Sequence, residues 1–314
     1  MTEITAAILA AGKGTRMHPF STHYPKPALP ICNKPLLQYQ IEMFRDIGID
    51  EILIMIGHLG HEIAQAFGDG RALGVRLHYV EQTKLLGIAS ALGQLEPHVS
   101  KPLFLALGDI FFKSENLDSM VNMLTDQDAA AVLAVKHEDD LQAIRRNFTV
   151  TKNPDGTVRR VIEKPRHVST NLKGCGLYLF DLSVFDAVRR TPRTAMRDEF
   201  EITDTIQIMI DDGLRVLTAD VIQQDINLTY PSDVLACSLL ELNQRKLDKL
   251  VGENARIHKD AQLEQCVIGE RAVIEHPIRI SNSVVFPDTV VSAEHDIDGF
   301  IITPEHRIDC KVFD

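Results

Sequence analysis

The residues best suited to chemistry gather early, in "LAAGKGTRMHPFSTHYPKPALP", residues 9–30. Gly12, Lys13, Gly14, Thr15 and Arg16 look like a phosphate loop, but two common patterns fail. A P-loop needs glycine five positions before its Gly-Lys pair and Ser or Thr after the Lys, where Ala7 and Gly14 stand. A dinucleotide fingerprint needs a third glycine where Met17 stands. What remains is a run of small residues, Ala10, Ala11, Gly12 and Gly14. They let the backbone approach phosphate oxygens and offer successive N–H groups as an anion nest. Arg16 adds a planar fork and Lys26 a point charge. Pro19, Pro25, Pro27, Pro30 and Pro35 should hold this chain extended.

The rest of the molecule is acidic. Net charge is −11, yet residues 1–40 carry Lys13, Arg16, Lys26 and Lys34 against one acid, Glu3. A basic cluster in an acidic protein suits a small anion, not nucleic acid or an anionic membrane. The five cysteines show no CxxC and no metal-like spacing, which predicts buried thiols in a reducing compartment. Without an 18-residue apolar run or a signal-like start, the chain is expected in the cytoplasm.

Positioning such residues falls to an α/β framework. "EITAAILAAGKG" reads as a buried strand emptying into the glycine loop, and "PLLQYQIEMFRDIGI" as a helix ending at Gly48. "DEILIMIG", "VRLHYVEQ" and "KPLFLALGD" read as strands, "HEIAQAFGDG" and "GIASALGQL" as helices. This alternation predicts a mixed, mostly parallel, Rossmann-like sheet with ligands beyond the carboxyl ends of its strands. The opening loop and Asp109 both lie at such ends and should face one cleft. Further on, "FTVTKNPDGTVRRVIEKP" predicts a hairpin turning at Asp155-Gly156, and "GCGLYLFD" a strand. Helices are expected over 183–190 and 203–212, and another across "PSDVLACSLLELNQRKLDKL" with Ser232 as its cap.

From about residue 250 the pattern changes. Val251, Ile257 and Leu263 recur every six residues, and after a one-residue slip so do Ile268, Ile274, Ile280 and Phe286. Gly252 and Gly269 each follow an aliphatic position of the series. Hexads of this kind predict a short left-handed β-helix, with domains at 1–249 and 250–314.

"LAAGKGTRMHPFSTHYPKPALPICNKPLL" resembles the signature of sugar-1-phosphate nucleotidylyltransferases. The resemblance continues through "EQTKLLGIASAL", "LALGDIFF", "VIEKP", "LKGCGLYLF" and "RDEFEITDTIQ", over about residues 4–235. It implies transfer of a nucleotidyl group to a sugar 1-phosphate with release of pyrophosphate and use of Mg²⁺. By position it assigns the Gly12–Thr15 backbone, with Ala10, Ala11 and Lys13, to the triphosphate. Arg16 would neutralise the leaving pyrophosphate, and Lys26 would sit near the α-phosphate. Asp109 matches the metal aspartate, with Asp225 and Asn227 as candidates for a second ligand. Gln82, five before Gly87, matches members that read thymine or uracil, whose imide pattern suits a side-chain amide. That implies dTTP or UTP. Glu163 and Lys164 match the sugar-hydroxyl acceptor and the phosphate lysine, Arg197 a sugar-phosphate arginine, and Asn171 and Gly176 line the sugar site. A homo-oligomer is also implied.

The chain departs from the pattern at Asn147-Phe148, where the family usually has Tyr-Gly, so the sugar stays open. Two alternatives also stay open: a transferase using CTP and an aminoalcohol phosphate, and a non-catalytic relative that binds nucleotide sugar. The tail could be an acyltransferase, but its few coils favour packing or oligomerisation.

Overall fold

A computed structural model describes residues 3–195 and 198–313. They form two compact units. One joins the chain up to Gly12 with Gln40–Asp225; the other joins Lys13–Tyr39 with the chain from Ile226 onward.

In the first unit the expected alternation is present: β1 (Thr5–Leu9), α1 (Leu36–Asp46, shared between the units), β2 (Glu51–Ile56), α2 (Gly60–Phe67), β3 (Arg76–Glu81), α3 (Ile88–Leu95) and β4 (Leu103–Leu107). Then come β5 (Ile110–Ser114), α4 (Asp118–Asp126), β6 (Ala131–His137), α5 (Leu141–Arg146), β7 (Phe148–Lys152) and β8 (Val158–Glu163). β9 (Leu172–Phe180), α6 (Val184–Arg190), α7 (Ile202–Asp211), β10 (Val216–Asp220) and β11 (Ile222–Asn227, whose last two residues belong to the second unit) follow. The main sheet runs β8-β7-β9-β4-β1-β2-β3, with β6 paired to β9 and β10 paired to β6. β1, β2, β3 and β4 are mutually parallel, while β9 runs antiparallel to β4 and β6. Ala6, Ala7, Ile8 and Phe104–Ala106 are fully buried, as continuous apolar strands covered on both faces must be. The hairpin turns at Gly156, whose φ of 87° suits its glycine.

In the second unit, α8 (Pro231–Gln244) packs with the coiled C-terminal strands. Its cap differs from expectation. Pro231 opens the helix after Tyr230, and Asp233 Oδ2 accepts from the backbone N–H groups of Thr229 and Tyr230, both at 2.6 Å. Ser232 lies inside the helix because Pro231 supplies its first residue. Compactness divides the chain after Gly12, Tyr39 and Asp225, and the first coil strand is Lys249–Val251.

The coils stack as parallel rungs with a constant offset: Val251 beside Ile268, Ile268 beside Val285, and Val285 beside Ile302. Ile257 and Ile274, and Leu263 and Ile280, keep the same offset on two further faces. Each circuit of this short β-helix is thus two hexads and a pentad, so the slip recurs every turn. Val285, not Phe286, continues the inward series and joins Ile268, Ile274 and Ile280 in the coil core.

The segment rich in proline is extended only in part: Pro30–Ile31 and Lys34–Pro35 pair as short antiparallel strands. Before them it folds into three short turns of 3₁₀ helix, Thr15–Met17, Phe20–Thr22 and Lys26–Ala28. The fixed φ of proline suits 3₁₀ turns as well as extended chain, and short turns tolerate its missing N–H. All five cysteines are buried thiols, and none forms a disulfide. Among the described residues no helix is long and apolar enough to cross a membrane.

Candidate active site

The backbone leaving β1 is gripped on both sides. Ala10 N donates to Met55 O at 2.8 Å, and Gly108 N donates to Leu9 O at 2.9 Å, so pairing runs past the strand ends. Glycines flank this point for a steric reason. A Cβ on Gly57 would stand 2.8 Å from Ala11 O, and one on Gly108 would stand 2.6 Å from Leu9 O. Gly12 differs, because no atom lies within 4 Å of where its Cβ would be. Packing does not demand glycine there.

Asp109 occupies the turn between β4 and β5, next to this strand end. Gln40, a residue the motif analysis passed over, fixes that turn from α1. It is 1% exposed, and its Nε2 donates to Leu107 O at 2.9 Å and Ile110 O at 2.8 Å, one on each side of Gly108-Asp109. The signal was a glutamine at core spacing with buried Leu37 and Phe44 in an otherwise apolar helix face.

At the end of β3, Gln82 N donates to Ile56 O at 2.8 Å, and its side-chain Nε2 donates to Lys84 O at 3.0 Å. Gln94 braces the same loop, its Oε1 accepting from Thr83 N at 3.0 Å and Thr83 Oγ1 at 3.1 Å. Gly87 closes the loop with φ 101°, and a Cβ there would stand 2.5 Å from Phe200 O. Gln82 and Gly87 thus share one braced loop.

A second group gathers around the hairpin. Lys164 has a left-handed φ of 42°, and its N–H donates to Asn147 O at 2.8 Å. Strand alternation alone would send Glu163 and Lys164 to opposite faces. The left-handed turn instead brings Lys164 Nζ to 3.7 Å from Glu163 Oε1. Asn171 O accepts from Glu138 N at 2.9 Å, and Asn171 Oδ1 lies 3.3 Å from His137 Nδ1. Gly176, with φ 71°, sits in an irregularity of β9, and a Cβ there would be 2.6 Å from Ile110 Cδ1.

The departure at Phe148 has a structural counterpart. A Cβ on Gly174 would fall 1.9 Å from the Phe148 ring. Phe148 is buried and stacks on Tyr178 at 5.9 Å between centroids. Bulk absent from β9 at Gly174 is supplied by Phe148 of β7.

Asp225 is already engaged. Its side chain is 1% exposed, Lys173 Nζ lies 2.8 Å from both carboxylate oxygens, and Lys136 Nζ lies 3.0 Å from Oδ1. Glu138 Oε2 completes the cluster, 3.1 Å from Lys136 and 3.6 Å from Lys173. Lys136 and Lys173 are direct cross-strand neighbours, a repulsive pairing unless an anion sits between them. Burial pulls the Lys136 ammonium down, but Asp225 and Glu138 outweigh it and hold it above its usual range. Burial opposes the Glu138 charge, yet Lys136 and the Asp140 N–H keep its carboxyl below its usual range. Cys175 nearby is pushed well up by burial, which leaves an unreactive thiol. Two lysines hold the oxygens that a metal would need, so Asp225 does not fit a ligand role. Asp109 does fit: a hard carboxylate on a braced turn suits an ion that completes its shell with phosphate oxygens.

Lys13, Thr15, Arg16, Lys26 and Asn227 belong to the second unit. Lys13, Thr15 and Arg16 are exposed, while Met17 is buried and anchors the loop. Gly14 adopts a left-handed φ of 61°. The Lys26 Cγ and Cε atoms would stand 3.0 Å from a Cβ at Gly14, so the lysine stem lies along bare backbone. Asn227 ends β11, half-buried. Arg197 lies outside the described residues.

Residues 5–227 match the sequence model of the nucleotidyl transferase family. A glucose-1-phosphate thymidylyltransferase of Streptomyces antibioticus is 30% identical over 302 residues, covering 95% of this chain and 81% of that one. A UTP–glucose-1-phosphate uridylyltransferase of Haloferax volcanii is 32% identical over 231 residues, covering 73% of this chain and 92% of its own. Among solved structures, a UDP-glucose pyrophosphorylase complexed with UDP-glucose shares the fold. Its TM-score is 0.67 at 21% identity, over 78% of this chain and 100% of that one.

Proposed function

The chain belongs to the nucleotidyl transferase family, and on that premise we propose that it transfers a nucleotidyl group from dTTP or UTP to a hexose 1-phosphate such as glucose 1-phosphate. The observation that carries this is the end of β1. Two alanines are held between bare Gly57 and Gly108, followed by a Gly12 that no packing requires. The relatives that act on glucose 1-phosphate with dTTP or UTP support the substrate class, and Gln82 with Gly87 on one loop supports a thymine or uracil base.

In the proposed reaction a sugar phosphate oxygen attacks the α-phosphorus in line. One P–O bond forms as the bond to the bridging oxygen breaks, and pyrophosphate departs. No protein nucleophile takes part, so catalysis is positioning and charge stabilisation. The Gly12–Thr15 backbone, Lys13 included, donates N–H groups to the triphosphate, and Ala10 and Ala11, small and held by the sheet, let it approach. Arg16 neutralises the leaving pyrophosphate, and Lys26 stabilises charge at the α-phosphate. Glu163 accepts a sugar hydroxyl, Lys164 and Arg197 bind the sugar phosphate, and Asn171 and Gly176 line the sugar. Asp109 would hold Mg²⁺, and Asn227 replaces Asp225 as the proposed second ligand because lysines occupy the latter. When bound, the ion supplies charge neutralisation along the triphosphate. The five buried thiols support a reducing compartment, proposed as the cytoplasm, and a homo-oligomer is proposed with it.

A pyrophosphate-release screen of dTTP, UTP, ATP, GTP and CTP against a panel of sugar 1-phosphates, with choline phosphate as a further acceptor, tests this. Release with dTTP or UTP and a hexose 1-phosphate is expected. Release with CTP and choline phosphate alone would overturn the base and acceptor, and no release with any pair would leave a nucleotide-sugar binder.

A further inference from the structure

The loop that follows Gly12 is compact with the C-terminal coils. Phe20 and Phe286 stack with centroids 5.4 Å apart and planes 21° from parallel, both 1% exposed. Tyr24 meets the same Phe286 edge-on at 5.6 Å. Further along, Asn33 Nδ2 donates to Ile268 O at 2.9 Å. Phe286 is where glycine gives way at one corner of the coil. The matching corner is Gly252 in one coil and Gly269 in the next, where a Cβ would collide with the backbone of the following coil. One coil later that corner carries Phe286, whose ring lies outside the coil core and against the loop.

The two aromatic anchors are bracketed by two of the loop's cations: Arg16 stands four residues before Phe20, and Lys26 two residues after Tyr24. Tyr24 N donates to Phe20 O at 2.8 Å, so the anchors form one turn between those cations. We propose that Phe286 is a positioning residue for Arg16 and Lys26, acting through Phe20 and Tyr24, so that the coils form the platform of the triphosphate loop. This rests on the proposed roles of Arg16 and Lys26.

The test uses the full chain with Phe286→Ala, Phe286→Leu, Asn33→Asp and the exposed coil control Val290→Ser. Asn33→Asp removes the donor while keeping a residue type that tolerates the left-handed φ of 60° there. Amide exchange over residues 15–29 should speed up about tenfold or more in Phe286→Ala and Asn33→Asp, with β1 and β4 unchanged. With dTTP or UTP and glucose 1-phosphate, kcat should fall by up to about 10²-fold while KM for the sugar phosphate holds. Phe286→Leu should restore most of both, and Val290→Ser should change neither. Unchanged loop exchange, or an equal rise across the whole chain, overturns the proposal. If the unaltered chain turns over no nucleotide pair, the proposed reaction falls, while loop exchange still decides the role of Phe286.

Discussion

The stem of Lys26 lies along the bare backbone of Gly14, with its Cγ and Cε 3.0 Å from where a Cβ would be. The eleven residues between Gly14 and Lys26 are folded so that the lysine returns to the loop. Gly14 is fixed twice, by its left-handed φ and by this contact.

Gly14→Ala should therefore strain the loop by about 1–2 kcal/mol and displace Lys26. The expected result is a folded protein whose kcat falls about 10²-fold. Unaltered kinetics in Gly14→Ala would remove Lys26 from the proposed site.

Gln40→Leu should leave the carbonyls of Leu107 and Ile110 without their buried donor, at about 1–3 kcal/mol for each. Urea unfolding should show the loss. Half-maximal rate should also demand more Mg²⁺, because the Asp109 turn is no longer held. Lost stability with an unchanged Mg²⁺ requirement would make Gln40 a purely structural residue.

Asp225→Asn should destabilise the fold by about 3–5 kcal/mol, because Lys173 and Lys136 are left facing each other in a buried site. Pairing it with Lys173→Met should recover much of that, and a double-mutant cycle in urea reads the coupling. A metal-ligand role would instead show as lost Mg²⁺ dependence with stability retained.

Gly174→Val should cost about 1–3 kcal/mol through overlap with the Phe148 ring. Adding Phe148→Ala should relieve it, and the double variant should differ from the parent in its range of sugar 1-phosphates. Strictly additive losses in thermal unfolding would show that the two positions do not exchange volume.

The last coil carries the pH dependence that can be signed. Lys311, Asn282 and Ser281 hold the Asp298 carboxyl down to about 2 from the ordinary 3.8. A lowered carboxylate stabilises the fold above its unfolded value and ceases to do so as pH falls through its folded one. This contribution is present above about pH 4 and disappears between 3.8 and about 2. Acid unfolding of the coils should lose that component in Asp298→Asn. Because both Asp298 and Lys311 are well exposed, the change should be small and reduced by salt.

Local chemistry alone identified much of this protein. Apolar runs gave β1, β2 and β4, the Asp155-Gly156 pair gave the hairpin, and aliphatic spacing gave the coils. These follow from short-range rules of periodicity and turn conformation. Gly87, chosen by spacing, stands where a positive φ and the nearby Phe200 backbone demand glycine. Beyond reach were properties of pairs distant in the chain. Nothing adjacent to Asp225 announces Lys173 and Lys136 at its oxygens, and nothing beside Gly174 announces the Phe148 ring. The proline run allowed both extended chain and 3₁₀ turns, and it uses both, turns up to Ala28 and paired strands at Pro30 and Pro35. Sequence fixes which conformations a segment can adopt at low local cost. Only tertiary contact decides which of them buries Gln40 on the Asp109 turn, or sets Phe286 under the loop that carries Arg16 and Lys26.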